Sequence, residues 1–258
     1  MNDTTRDAFL GGQVMVEQPA RGRHRAGLDA VYLAAAVPEG TTGHVVDLGS
    51  GVGTAGFCVA ARLAGVRVTL VDSDTHVLAL AENALNFSEN AHFADRISIL
   101  EADIEARGTQ RHAKGLTPGF ADHVIMNPPY YPGGRFRASP ADARASAHVL
   151  GEQGLEPWAK TATDILREGG SLTVIFRADG LGELLNVLEG RFGAIDVIPL
   201  HPRTEAAATR VILRAVRASR APLRLLAGFV LHKGEGSDFT DESRAVMRDG
   251  MGLTFPAR

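Results

Sequence analysis

The amino-acid sequence predicts an α/β fold: a mostly parallel sheet with helices on both faces, completed by an antiparallel pair of strands near the C-terminus. Two patterns predict this fold. From His44 onward, short apolar runs alternate with longer stretches of helical period, as in a parallel sheet covered on both sides. In the C-terminal part, strand-like runs instead follow one another over short links, which suit antiparallel neighbours.

The apolar runs between residues 45 and 176 are interpreted as strands, and each ends at polar or turn-forming residues. These runs are Val45–Val46 before Asp47, Val66–Val71 before Asp72, Ile97–Leu100 before Glu101-Ala102-Asp103, Val124–Met126 before Asn127-Pro128-Pro129, and Leu172–Phe176 before Arg177. Apolar residues spaced for one helix face occupy Leu28–Ala36, Thr54–Ala64, Thr75–Phe87 and Trp158–Leu166. The alternation gives one sheet with crossover helices.

The C-terminal antiparallel pair is assigned from three strand-like runs: Ala194–Leu200, Thr209–Ala218 and Leu223–Leu231. The four residues 219–222 separate the last two runs, which predicts a hairpin between them. Residues 108–119 are predicted to form a polar insertion, and the last part of the chain a loop with a short terminal segment.

Composition excludes several classes of protein. The 258 residues are 45% hydrophobic and 22% charged, with a formal net charge of −3, which argues against nonspecific coating of nucleic acid. The single cysteine, Cys58, rules out an intrachain disulfide framework or a cysteine-rich zinc site, and we expect no metal. No apolar run reaches the ~18 residues of a membrane span. The polar start of the chain does not resemble a secretory signal, so a cytoplasmic location is expected.

A glycine loop is the strongest local signal. Asp47-Leu48-Gly49-Ser50-Gly51-Val52-Gly53-Thr54 lies directly after one predicted strand and before a helix. Glycines allow a sharp turn and a close approach of a ligand to the backbone. A dinucleotide fingerprint would place its third glycine at position 54, which is a threonine here. Asp47 suits a cationic ligand better than a pyrophosphate, although a simple tight turn remains the alternative.

Two further acids end the next two strands. Asp72 ends the second strand, where a carboxylate accepts hydrogen bonds from ribose hydroxyls. Asp103 ends the third, where a carboxylate can accept from an adenine amine. Each acid alone could be a helix cap or a solvated turn residue. With the glycine loop, however, they cluster at the strand ends where open α/β sheets bind ligands.

The segment Asn127-Pro128-Pro129-Tyr130 follows the fourth strand. Consecutive prolines donate no backbone hydrogen bond and keep the chain extended. The Asn127 side-chain oxygen and the Pro128 carbonyl could therefore accept the two N–H groups of a planar amine and direct its lone pair toward an electrophile. Tyr130 would offer a stacking face. The alternative is an ordinary strand end with prolines.

These motifs resemble those of class I S-adenosylmethionine-dependent methyltransferases, which have a Rossmann-like fold, over roughly residues 45–176. The resemblance implies that Asp47 and the loop with Gly49, Ser50, Gly51 and Gly53 hold the methionine part of S-adenosylmethionine. It places Asp72 at the ribose and Asp103 near the adenine. Asn127 and the residues after it are similar to the motif of amino-methyltransferases that act on adenine N6, guanine N2 or glutamine N5.

A narrower resemblance is to the bacterial tRNA (adenine-N6) methyltransferases of the TrmN type. It rests on His24–Ala30, on Asn127–Tyr130 followed by Tyr131, and on Leu200–Arg203. It implies that Asp29 touches the cofactor, and that residues 1–40 are a segment packing on the cofactor and substrate side of a single domain, residues 41–258. Leu28 departs from the pattern, since threonine is usual there.

Three functions follow as hypotheses. The first is methylation of adenine N6 in tRNA, with Arg23, Arg25, Arg135 and Arg137 pairing with phosphates and Tyr131 beside the base. The second is methylation of a protein glutamine or of a small-molecule amide or amine. It is disfavoured because too few residues precede Gly49 for the helical domain of the glutamine enzymes. The third is a protein that binds S-adenosylmethionine without catalysis.

Overall fold

A computed structural model describes residues 4–20, 27–129 and 154–258. Its strands in the first half are β1 Thr4–Phe9, β2 Val14–Pro19, β3 Gly43–Leu48, β4 Val66–Asp72, β5 Ile97–Glu101 and β6 Ala121–Met126. Those in the second half are β7 Leu166–Arg177, β8 Phe192–His201, β9 Arg210–Arg217, β10 Arg224–Leu225 and β11 Phe229–Val230. The helices are α1 Leu28–Ala35, α2 Thr54–Arg62, α3 Thr75–Ala84, α4 Gly108–Ala113, α5 Glu156–Ile165, α6 Leu181–Leu188 and α7 Asp241–Asp249.

The main sheet has the order β10-β8-β9-β7-β6-β3-β4-β5, with β11 also on β8. Strands β5, β4, β3, β6 and β7 run parallel, and β9 is antiparallel to both β7 and β8. The predicted fold class is confirmed: a mostly parallel sheet with antiparallel strands near the C-terminus. All five strands predicted between residues 45 and 176 lie in this sheet.

Helices cover both faces of the sheet, because residues that alternate along the strands enter two separate cores. Val45 and Ile125 face a core shared with α1, α2, α3 and α7. Val46 and Val124 face the opposite core, built with α5 and α6. The strand β3 is therefore apolar on both faces, as a central parallel strand has to be.

The predicted hairpin between the last two strand-like runs is wrong. The neighbours of β9 are β7 and β8, while β10 and β11 are two-residue strands that pair with β8 in parallel. The physical reason lies in the side chains. Val211, Ile212 and Leu213 of β9 are buried on both faces, which requires a central position, whereas Leu225 of β10 is 68% exposed and belongs at an edge.

The N-terminal region contains a hairpin that the sequence did not reveal. Strands β1 and β2 pair antiparallel, and Val14 and Val16 join the core that contains α2 and α3. The buried Asn90 holds this hairpin in place. Its amide donates to the Met15 carbonyl at 2.7 Å, and its oxygen accepts from the Met15 N–H at 2.9 Å. Such a satisfied buried amide ties the hairpin to the main domain.

Two regions to which the sequence assigns neither a helix nor a strand contain helices. Helix α4 lies within the polar insertion predicted for residues 108–119. Helix α7 occupies much of the C-terminal part, and the Tyr32 hydroxyl of α1 lies 2.5 Å from the Ser243 hydroxyl of α7. In the ranges that the structure describes, no helix combines the length and apolarity needed to cross a membrane.

Candidate active site

The carboxyl ends of four parallel strands meet at one edge of the sheet. Leu48 of β3 is the register partner of Met126 on β6 and of Val71 on β4. Asp72 of β4 pairs in turn with Glu101 of β5. The glycine loop, the acids that follow β4 and β5, and Asn127 after β6 therefore all leave the sheet at the same edge, as the sequence predicted.

The glycine loop turns through three left-handed residues. The φ angles of Gly49, Gly51 and Gly53 are 67°, 55° and 85°, a region that other residues rarely adopt. The backbone N–H groups of Gly49 and Ser50 both donate to the Val71 carbonyl, at 2.8 and 3.0 Å. The loop is therefore fixed to the end of β4 before the chain enters α2.

The three glycines have different surroundings. A Cβ on Gly49 would lie 2.4 Å from the Trp158 ring, and one on Gly53 would lie 2.6 Å from a Leu70 methyl group. These two glycines permit close packing. A Cβ on Gly51, in contrast, would have nothing within 4 Å. Gly51 is thus the point at which the loop backbone faces open space and a ligand can approach it.

Two hydroxyl groups of this loop fit a polar ligand. The Ser50 Oγ and the Thr54 Oγ1 are buried, yet neither has a hydrogen-bond partner among the described residues. Buried hydroxyls are normally paired, because desolvating one without a partner costs about 1–3 kcal/mol. A ligand with donors and acceptors beside the loop would supply the missing partners, and the amino and carboxylate groups of a bound amino acid have both.

Asp47 is buried directly beneath the loop, with 2% of its surface exposed. Its Oδ2 accepts the Gly56 N–H of α2 at 2.9 Å. Burial raises the pKa of this carboxyl from 3.8 to about 7, against the lowering effect of the Gly56 hydrogen bond, and the nearby Asp72 raises it further. A cation placed next to Asp47 would restore its charge, so the site is suited to an ammonium group.

Asp72 and Asp103 both accept backbone hydrogen bonds. The two oxygens of Asp72 accept from the Gly51 N–H and from the Asp74 N–H, each at 2.9 Å. Asp103 is exposed, and its Oδ1 accepts from the Glu105 N–H at 2.8 Å. Because a carboxylate has about four acceptor positions, these bonds leave room for ligand donors.

A cavity of about 500 Å³ adjoins Asp103. Its lining is mostly helix α4 and the residue after it: Ala106, Gln110, Arg111, Ala113 and Lys114. The sequence does not indicate helix α4, because the 108–119 stretch has no apolar periodicity long enough for a helix. Of the strand-end residues described above, Asp103 alone lines this cavity.

Asn127 and Pro128 follow β6 next to the glycine loop. Asn127 and Pro129 are half-buried, and Pro128 is buried. Tyr130 and Tyr131 lie outside the described residues, as do Arg23, Arg25, Arg135 and Arg137. Their predicted roles stay predictions.

Asp29 forms an ion pair that the sequence does not predict. Its Oδ2 accepts from the Nε of Arg210 at 2.9 Å, and both side chains are about one-third exposed. Arg210 begins β9, on the strand-end edge of the sheet beside Arg177 of β7. The pair joins the start of α1 to β9. No local signal could have revealed it, since the two residues are 181 positions apart.

Cys58 is buried in the core and is not placed for chemistry. Burial raises the pKa of the Cys58 thiol to about 12, and the side chain has no exposed surface. It is a core residue and not a nucleophile, because nucleophilic attack needs an accessible thiolate. Residues 4–20, 27–129 and 154–258 contain no group of three or more His, Cys, Asp or Glu that could hold a metal ion.

Comparison with a family model identifies the region that contains this site. The model of the methyltransferase small domain matches residues 27–203. This range contains the glycine loop, all the acids described above and Asn127.

Curated relatives share part of the chain. It is 29% identical over 168 residues to a release factor glutamine methyltransferase of Chlorobaculum tepidum, covering 60% of this chain and 52% of that protein. It is 28% identical over 213 residues to a tRNA1(Val) (adenine(37)-N6)-methyltransferase of Escherichia fergusonii, covering 82% and 77%. The chain thus spans about half the length of the first relative and more of the second.

A solved structure matches nearly end to end. It is a protein of Agrobacterium tumefaciens described as a predicted O-methyltransferase, 32% identical, with a TM-score of 0.75. The match covers 88% of this chain and 98% of that one. The sheet with its helices is therefore the Rossmann-like fold of methyltransferases.

Proposed function

Since the chain belongs to the methyltransferase small domain family, we propose that it transfers a methyl group from S-adenosylmethionine to the N6 amine of an adenine in tRNA. The observation that carries this proposal is the position of Asn127-Pro128-Pro129, which Tyr130 follows in the sequence. The segment follows β6. Met126, the last residue of β6, pairs in register with Leu48 of β3, the strand that leads into the glycine loop. The segment proposed to hold the amine and the loop proposed to hold the cofactor therefore leave the sheet at the same edge.

The cofactor would be held by residues from three strand ends. S-adenosylmethionine supplies an electrophilic methyl group on a sulfonium sulfur. Asp47 and the loop would hold its methionine part, Asp72 the ribose and Asp103 the adenine, with Asp29 at the start of α1 as a further contact. The loop residues concerned are Gly49, Ser50, Gly51 and Gly53. The unpartnered hydroxyls and the open space at Gly51 support this assignment.

The acceptor amine is a poor nucleophile because its lone pair is delocalised into the adenine ring. The Asn127 side-chain oxygen and the Pro128 carbonyl would accept its two N–H groups, and Pro129 keeps this segment extended. Holding both hydrogens favours a pyramidal nitrogen, whose lone pair is less delocalised into the ring and can point at the methyl group. Tyr130 would stack on the base. Such positioning and electrostatic stabilisation raise the rate without a strong base.

Two further observations support an RNA substrate. Several of the relatives are named tRNA or ribosomal RNA methyltransferases. In the sequence, Arg23 and Arg25 precede the strands that end at the site, and Arg135 and Arg137 follow the Asn127–Tyr130 segment. Tyr131 comes directly after Tyr130. These arginines would pair with phosphates around a base that has left its stack, which an unpaired loop nucleotide does most readily.

Residues 41–258 would form a single domain, and the protein would act in the cytoplasm. Residues 1–40 would pack on the cofactor and substrate side. The ion pair of Asp29 with Arg210 supports this placement of α1, since Arg210 lies on the strand-end edge.

The test is methyl transfer from radiolabelled S-adenosylmethionine to unmodified tRNA, followed by mass spectrometry of the nucleosides. We expect label in N6-methyladenosine, and none when the tRNA already carries the modification. Label that survives ribonuclease and stays with a release factor would instead support glutamine methylation, the activity named for the Chlorobaculum tepidum relative. Cofactor binding without transfer to any acceptor would indicate a non-catalytic binding protein.

A further inference from the structure

A second cavity, of about 310 Å³, lies on the sheet away from the strand-end site. It is formed by β7, β8 and β9, by Pro38 after α1, and by the segment 255–258. Its charged lining residues are Asp196, Arg214, Arg224 and Arg258. Arginines thus outnumber carboxylates among the side chains of this cavity, which is the composition of a site for an anion.

Asp196, the one carboxylate side chain among these lining residues, already binds two of the arginines. Arg224 binds it with both arms of its guanidinium, Nε to Oδ1 at 2.8 Å and the terminal nitrogen to Oδ2 at 2.9 Å. Arg258 donates to the same Oδ1 at 2.7 Å. Two cations therefore share one buried carboxylate, and little of its charge is left for a third.

Arg214 is that third cation. It lies on β9 between its register partners Asp196 on β8 and Thr173 on β7. Its guanidinium stacks on the Phe255 ring at 4.2 Å, and its Nε is buried without a hydrogen-bond partner in the described ranges. Burial lowers the pKa of Arg214, and Arg258 lowers it further while Asp196 opposes the change.

The remaining neighbour of Arg214 with a titratable group, His123, brings no negative charge. Its Nε2 lies 3.2 Å from the Thr42 carbonyl, and its Nδ1 lies 2.7 Å from the Ser171 hydroxyl. An imidazole ring is either neutral or cationic, and burial lowers the pKa of His123. A partly buried cation whose nearest carboxylate is shared with two other arginines is costly, and an anion in the cavity would reduce that cost.

We propose that this cavity binds a phosphate group through Arg214, assisted by Arg258 and Arg224. A guanidinium fork matches two phosphate oxygens, and Arg214 already has its plane fixed by Phe255. Along β9, Arg214 is about 14 Å from Arg210 at the strand-end edge. That distance suits a backbone phosphate a few nucleotides from the methylated base, an assignment that rests on the proposed function; a phosphorylated small molecule offers the same chemistry.

The experiment is a calorimetric titration of the full chain with inorganic phosphate at low ionic strength. We expect saturable binding at one site, weakened at least about tenfold by Arg214→Gln through loss of hydrogen bonds to a charged group. Arg220→Gln, an exposed arginine just beyond β9 that does not line the cavity, should change the affinity less than twofold. Equal binding to wild type and to a folded Arg214→Gln protein would overturn the proposal.

A second variant is used if the first does not fold, and a second titration identifies the kind of molecule that carries the phosphate. If Arg214→Gln does not unfold cooperatively in urea, Arg258→Gln replaces it, with the same expected weakening. For the source, tRNA binding is measured against salt. A slope smaller by about 0.7–0.9 in the variant indicates an RNA phosphate, and an unchanged slope with weakened phosphate binding indicates a phosphorylated small molecule. Absence of tRNA binding would contradict the proposed function while phosphate binding still tests the cavity.

Discussion

Burial of the Asp47 carboxyl leads to a quantitative prediction, because burial sets the free-energy cost of ionising this group. Asp47→Asn replaces the carboxylate by a neutral group of nearly the same shape, and the amide oxygen can still accept the Gly56 N–H. Raising the pKa of Asp47 from 3.8 to about 7 corresponds to an upper bound of about 4 kcal/mol, at 1.36 kcal/mol per pH unit. Relaxation of the protein and penetration of water make the actual free-energy difference smaller than this bound.

The sign of the pH dependence follows from the direction of this pKa change. Between pH 3.8 and about 7, the folded protein keeps a proton on Asp47 that the unfolded chain has lost. The contribution of this group to stability is therefore fully present below pH 3.8, and is lost as the pH rises through about 7. The Asn variant has no such proton, so its advantage over wild type should grow from near zero at pH 4 to its full size above pH 7.

The assay is urea unfolding of both proteins at a series of pH values from 5 to 8.5, without cofactor. At pH 8.5 we expect Asp47→Asn to be more stable by about 1–4 kcal/mol, with an unchanged dependence on urea concentration. Binding of S-adenosylmethionine should weaken by about tenfold or more, since its ammonium loses a charged partner. A stability difference that stays constant over this pH range would refute the reasoning, because the carboxyl would then be charged in the folded protein throughout.

The other predictions concern the loop and the acceptor. Asn127→Ala should lower methyl transfer by at least about 100-fold through loss of a transition-state acceptor, while cofactor affinity measured by calorimetry changes less than about twofold; equal transfer rates would contradict its role. Asp72→Ala should weaken cofactor binding by about 10-fold or more, and should affect this affinity more than the rate of methyl transfer. Unchanged affinity would exclude the ribose contact. Gly53→Ala should lower the unfolding free energy by more than the ~1–2 kcal/mol cost of a left-handed residue, because its Cβ also meets a side chain at 2.6 Å. Gly51→Ala should cost only the strain of a left-handed alanine, but it should weaken cofactor binding more than Gly53→Ala does. If thermal unfolding showed Gly51→Ala to be the less stable variant and titration showed Gly53→Ala to bind cofactor more weakly, the two roles would be contradicted.

Much of the fold and of the strand-end site could be predicted from local sequence. The positive φ angles of Gly49, Gly51 and Gly53, the acids after β4 and β5, and the prolines after β6 depend on chain stereochemistry and on strand direction alone. Parallel strands place their carboxyl ends together whatever else the chain does. The resemblance to class I methyltransferases drawn from these residues is confirmed by the family match.

Contacts between distant parts of the chain were decided only by the tertiary structure. The place of β9 between β7 and β8, the pair of Asp29 with Arg210, and the three arginines around Asp196 join segments that no short pattern connects. Local sequence determines how a segment is bent and which of its faces is apolar, since both depend on neighbouring side chains. Which segments then meet depends on the burial of all apolar faces at once, a property of the whole chain.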